Sequence, residues 1–160
     1  KNSSKMKGGY ITVKNDPRLT LMGGFLRKSK INELPQLLNI FLGHMSVVGP
    51  RPVMHVSFES YPEKIQKVIY NVKPGLTGIG SIIFRDEEDI ITKVKSDGGD
   101  TLDFYKNIIY PFKGELEIWY QKNKSFLLDL KLIFITAWVI LFSKSKIYDK
   151  VFTDLPKRNF

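Results

Sequence analysis

The residue types best suited to chemistry crowd into one stretch, Phe25 to Pro52, which reads FLRKSKINELPQLLNIFLGHMSVVGPRP. Cationic Arg27, Lys28 and Lys30 precede the polar pair Asn32 and Glu33. Leu34, Leu37, Leu38 and Phe41 then recur at the i, i+3, i+4, i+7 spacing of a helix with one buried face. That spacing predicts a helix starting near Asn32. A helix start presents unpaired N–H groups and the positive end of the macrodipole, so cations just ahead of it and acceptors on its first turn suit a bound phosphate and its metal ion. The same residues also make an ordinary N-cap followed by an early proline, and Ser29 is an alternative cap. Farther on, Gly49-Pro50-Arg51-Pro52 stiffens the backbone on both sides of Arg51. A guanidinium held that way suits bidentate recognition of phosphate or carboxylate, although a plain structural turn uses the same residues. His44 and His55 read as surface or packing residues rather than as a base.

The rest of the chain must position these groups. At 160 residues with 42% hydrophobic content it is one domain by size, with enough apolar surface for a real core. Lys and Arg outnumber Asp and Glu by 25 to 16, so a net charge of +9 favours anions as partners: phosphorylated small molecules, nucleic acid or an acidic membrane surface. The absence of cysteine excludes a disulfide framework, thiol catalysis and cysteine-ligated zinc, and two histidines are too few for a histidine-built metal site. Any metal is therefore expected to be a hard, oxygen-bound ion. There is no internal repeat, no glycine-rich nucleotide loop and no Ser-His-Asp order to pursue. Lys1 is not a methionine and no signal sequence follows, which reads as a portion of a longer protein.

Along the chain, Lys1 to Gly9 is basic and loose, Tyr10 to Val13 alternates as a short strand, and Asn15-Asp16-Pro17 forms a turn. Thr20 caps a helix through Lys28, in which Gly23 and Gly24 each cost about 1 kcal/mol relative to alanine. Gly43 stops the central helix, and Tyr61-Pro62 opens another with Ile65, Val68, Ile69 and Val72 inward. Pro74-Gly75 suits a type II turn leading into Leu76 to Phe84, expected to be a strand or bulged extended piece that ends at Arg85. Asp86, Glu87, Glu88 and Asp89 are more simply the favourable first turn of a helix than a metal cluster. After the Ser96–Asp100 loop come a short helix, a break at Tyr110-Pro111 and a helix carrying Leu116, Trp119 and Tyr120. The apolar run Leu132 to Phe142 is too short to cross a bilayer and is read as a core helix ahead of one pressed on lipid. The basic tail with Lys144, Lys146, Lys150, Lys157 and Arg158 suits anionic lipid. The expected class is α+β: a mainly helical single domain with an apolar C-terminal helix. Its short strands or hairpin fall around Tyr10 to Val13 and Ile79 to Phe84, without a parallel sheet.

Three blocks in order, LRKSKINELPQLLNIFLGHMSVVGPRP, VKPGLTGIGS and WYQKNKSFLLDLKLIFITAW, resemble the catalytic domain of the bacterial sugar transferases called monotopic phosphoglycosyl transferases, over about Asp16 to Phe142. The resemblance implies an enzyme at the cytoplasmic face of the bacterial inner membrane. It would move a phosphosugar from a UDP-sugar to polyprenyl phosphate, release UMP and start a surface or secreted glycan, with no nucleic acid involved. It also implies Mg²⁺ and a covalent intermediate on an aspartate. By resemblance Glu33 is a Mg²⁺ ligand, Arg27 and Arg51 with Pro52 hold phosphates, and Arg85 stands near another family arginine. Two departures follow. The nucleophilic aspartate falls at Asn32, whose uncharged amide neither attacks phosphorus usefully nor brings charge to a metal, so this chain is expected to be inactive or nearly so. Either an active enzyme has been inactivated, which the intact motif favours, or this is a pseudoenzyme or scaffold that still binds donor. The second is truncation: the resemblance implies a re-entrant membrane helix and a basic segment before the point where this sequence begins, so membrane insertion is not expected to be encoded in the residues given.

Overall fold

The computed structural model describes residues 20, 22, 23, 25, 33–53, 58, 59, 61–69, 71–143 and 145–160. The readings at Tyr10–Val13, Asn15–Pro17, Arg27, Lys28, Lys30, Asn32, His55 and Lys144 lie outside the described residues. Among those described, the order is α1 (Leu34–Phe41), β1 (Ser46–Val48), α2 (Glu63–Ile69), β2 (Gly75–Thr77), α3 (Ile79–Ile83) and α4 (Glu87–Ser96). Then follow α5 (Thr101–Phe104), a π-helical turn (Tyr105–Ile109), α6 (Tyr110–Asn123), α7 (Phe126–Leu141) and α8 (Ile147–Val151). The class is α+β and mainly helical, as the sequence led one to expect. The cap at Thr20 is also present: its hydroxyl accepts the Gly23 N–H at 3.1 Å.

The strands differ from expectation. β1 and β2 pair in parallel, Ser46 opposite Gly75 and Val48 opposite Thr77, with α2 in the crossover between them. Each strand has only three residues, too few to leave an alternating pattern that sequence reading can detect. Beyond them the backbones stay close. Gly49 N–H donates to the Thr77 carbonyl at 2.9 Å and Gly75 N–H to the Pro50 carbonyl at 2.9 Å. A Cβ on Gly75 would lie 2.1 Å from the Gly49 nitrogen, so bare backbone is required where these two segments meet.

Ile79 to Phe84 is no strand. Ile79, Ile82 and Ile83 lie at i, i+3, i+4 on one face of α3 and are all buried, so burial of that face overrides the β preference of isoleucine. The expected break at Tyr110-Pro111 is also absent. Helix runs on through Pro111 because a π turn precedes it, with Tyr110 N–H donating to the Tyr105 carbonyl five residues back. The wider turn accommodates a ring that would otherwise collide with the preceding turn.

The main core joins α3, α4, α6 and α7 through fully buried Ile79, Ile91, Leu116, Leu132 and Val139. α6 packs on α2 and α3, while α7 packs on α3, β1 and β2. Thr136 of α7 donates its hydroxyl proton to the Leu132 carbonyl at 2.7 Å, so the 2.8 Å contact between the Thr77 and Thr136 hydroxyls has Thr77 as donor. That contact ties α7 to the end of β2.

Two apolar faces stay open. The expected burial of Leu34, Leu37, Leu38 and Phe41 is not found: all four are exposed, Phe41 to 88%, because no described element covers that side of α1. α7 is divided lengthwise. Leu128, Leu132, Ile135 and Val139 enter the core, whereas Phe126, Leu127, Phe134 and Leu141 face outward. Among the described residues no helix is long and apolar enough to cross a membrane.

Candidate active site

Glu33 occupies the N-cap of α1, one residue later than the helix start read from the sequence, and its carboxylate does not cap the helix. Instead it accepts from the Gln36 side-chain amide and from Arg51 Nη2, the latter at 3.2 Å. Gly43 ends α1 with a φ of 76°, and His44 and Met45 donate their N–H groups back to the Asn39 carbonyl. The chain then enters β1 and passes through Gly49 and Pro50, locked against β2, to Arg51. Local turn chemistry and the glycine contact thus bring Arg51 back beside Glu33.

Arg51 also borders a cavity of about 430 Å³, within the range of about 300–1,000 Å³ common for small-molecule sites. Pro50, Arg51 and Val53 form one wall. Ser81, Phe84 and Arg85 at the end of α3 form another, and Glu87 and Glu88 at the start of α4 extend it. Tyr105, Lys113 and Glu117 rise from the π turn and α6. The cavity therefore unites Arg51 and Arg85, two arginines read from separate motifs; Pro52 is exposed beside Arg51. Arg27 and Asn32 lie outside the described residues.

The polar network on the cavity wall centres on Glu87. Its carboxylate accepts from Lys113 Nζ at 2.8 and 2.7 Å and from the Tyr105 hydroxyl at 2.5 Å. Burial and the Glu87 charge both raise the Tyr105 phenol far above its ordinary value, so it remains a donor. Lys113 also lies 4.9 Å from the centroid of Phe84. The acids expected at a helix start do occupy the first turn of α4, and among the described residues no three His, Cys, Asp or Glu groups gather as a metal cage.

Glu117 was not singled out by sequence. It is buried within α6, and burial pushes its carboxyl up to about 7 against the opposing pull of Lys113. Its Oε2 has no hydrogen-bond partner among the described residues. A Cβ on Gly80 would lie 3.1 Å from Glu117 Oε1, so α3 leaves room for the carboxyl. The available signal was helical register: Glu117 follows Leu116 and precedes Tyr120 by three residues, a core-facing place for an acid.

For Mg²⁺, Glu33 is the carboxylate beside Arg51, while on the cavity wall Glu87 is already engaged by Lys113 and Tyr105, with Glu88 next to it. That set fits an ion that keeps most of its coordination from water and ligand phosphates, not one caged by protein.

Comparison with known proteins adds independent information. The family model described as bacterial sugar transferase matches residues 1–143. The undecaprenyl-phosphate galactose phosphotransferase of Salmonella typhimurium is 36% identical over 129 residues, 81% of this chain and 23% of that protein. The UDP-glucose:undecaprenyl-phosphate glucose-1-phosphate transferase of Klebsiella pneumoniae is 38% identical over 136 residues, 83% of this chain and 26% of that protein. An uncharacterized sugar transferase of Bacillus subtilis, EpsL, is 38% identical over 130 residues, 81% of this chain and 54% of that protein. The matched region spans about a quarter of the length of the first two and about half of the third.

Proposed function

Because this chain belongs to the bacterial sugar transferase family, we propose that it is the catalytic portion of a phosphoglycosyl transferase that takes a phosphosugar from a UDP-sugar to polyprenyl phosphate. The observation that carries this reading is the convergence of Arg51 and Arg85 on one cavity, with Glu33 held against Arg51. Two guanidinium groups neutralise and orient a diphosphate, which is most of what phosphoryl transfer asks of a protein. Pro50 and Pro52 restrict the backbone on either side of Arg51, so little freedom is lost when it engages an oxygen. Glu33 would hold Mg²⁺ together with the diphosphate, and the ion would supply charge neutralisation there.

In an active relative of this design, a carboxylate at position 32 attacks the phosphorus bearing the sugar, the bridging P–O bond breaks and its electrons leave with UMP. An oxygen of polyprenyl phosphate then attacks the same phosphorus and frees the carboxylate. Asn32 cannot perform the first step, so on this reading the chain carries an inactivated form of that enzyme. The open apolar faces of α1 and α7 suit a membrane surface as the place where the lipid acceptor is met.

Asn32 also favours a second reading, a donor-binding pseudoenzyme or scaffold of a glycan assembly pathway. One experiment separates them. The Asn32→Asp variant of the full-length protein, given UDP-sugars, polyprenyl phosphate and Mg²⁺, releases UMP under the first reading. Donor binding without UMP supports the second, and neither binding nor release overturns both.

A further inference from the structure

The segment Phe152–Phe160 lies beyond the residues matched by the family model, yet it grips both neighbours of Arg85. On one side, Arg158 Nη1 and Nη2 donate to the two Asp86 carboxylate oxygens at 2.8 and 2.7 Å, a bidentate fork. Asp86 sits at the N-cap of α4 but makes no side-chain cap bond, because its carboxylate is committed to Arg158. On the other side, the Phe160 ring stacks on Phe84 at 6.4 Å between centroids and meets Phe112 edge-on at 5.7 Å. The segment is itself anchored. Phe152 and Leu155 are buried, and Asp154 accepts the Trp119 indole N–H at 2.8 Å.

We infer that Phe152–Phe160 is a clasp that fixes the backbone at Arg85 and so aims that guanidinium into the cavity, with Arg158 and Phe160 as positioning residues. This rests on the reading of the cavity as the donor site. Arg85 is exposed, and an exposed arginine on an unrestrained loop loses backbone as well as side-chain freedom when it binds an anion. Clamping Phe84 and Asp86 removes the backbone share of that loss before the ligand arrives. A segment that only added stability would instead affect all contacts to the ligand alike.

The test is a double-mutant cycle read by calorimetric binding of UDP with Mg²⁺, with melting temperature followed in parallel. Arg158→Gln is expected to weaken binding by about 5- to 20-fold in the otherwise unaltered chain and by less than about 2-fold once Arg85→Ala is present. Arg158→Lys recovers little, since lysine keeps the charge but not the fork. Where Arg158→Gln lowers the melting temperature below the working range, Asp86→Asn breaks the same pair at nearly constant size and is expected to give the same cycle. Equal losses with and without Arg85, or binding that needs Arg85 and ignores both Arg158 and Asp86, overturn the clasp alone. No binding of UDP to the unaltered chain overturns the donor-site reading and the clasp with it.

Discussion

Arg51 Nη2 meets Glu33 Oε1 at 3.2 Å, joining the turn after β1 to the start of α1. On the proposed reading the pair is an exchange point: a diphosphate and a divalent cation entering together would offer Arg51 an anion and Glu33 a cation, so each residue would trade its partner for a stronger one.

Arg51→Ala is therefore expected to weaken UDP binding by about 10- to 100-fold, and Arg51→Lys to recover only part of the loss because the fork is gone. The side chain of Arg51 is 56% exposed, so the melting temperature should move little. Calorimetry and thermal denaturation of both variants check this; a large loss of stability with unchanged binding would reverse the assignment.

Gly75→Ala should be far more disruptive than its size suggests. The added methyl would stand 2.1 Å from the Gly49 nitrogen and 2.6 Å from the Thr77 carbonyl oxygen, both backbone atoms that cannot rotate aside. A cost of about 2 kcal/mol or more is expected, together with weaker UDP binding as Pro50 and Arg51 shift. Denaturant unfolding measures the first effect, and a change within about 0.5 kcal/mol would contradict the geometry.

Glu117 makes stability depend on pH in a defined direction. Its carboxyl titrates near 7 when folded and near the ordinary 4.5 when unfolded. Between those values the folded chain holds the extra proton, so the contribution of Glu117 to stability is full below about pH 4.5 and is lost as pH rises through about 7. The total is on the order of 3 kcal/mol. Glu117→Gln should flatten this slope and be relatively more stable at pH 8 than at pH 5. Parallel melting curves across that range would show the carboxyl to be ionised throughout.

Phe134→Ser on α7 removes apolar surface that is 72% exposed, so folding should change by no more than about 0.5 kcal/mol. Binding to vesicles containing anionic lipid is expected to drop several-fold. Co-sedimentation measures it, and retention equal to the unaltered chain would remove α7 from the membrane-facing surface.

What the sequence made legible was what nearby residues decide. Thr20 as a cap and Gly43 as a helix stop depend on a few adjacent positions, and both are found. Pattern alone could not place partners distant in the chain. Three-residue strands carry no period, so the Ser46–Val48 pairing with Gly75–Thr77 was hidden. The isoleucines of α3 fit a strand or a short helix equally until the core claimed one face. A proline looked like a break because the π turn that accommodates it has no sequence mark. Apolar spacing read one face of α1 as buried, whereas all four of its residues are exposed, because spacing cannot say whether anything covers a face. Glu117 was invisible because its importance comes from what surrounds it, including the space left by Gly80.

The hydroxyl bridge from Thr77 to Thr136 has a mechanical consequence. α7 turns one side to the outside and packs, through β2 and Gly75, against the segment that leads to Arg51. Were α7 to rest in an oily layer as proposed, the altitude of the Arg51 backbone above it would be set by packed backbone rather than by a pliant tether, leaving the side chain to reach a lipid phosphate.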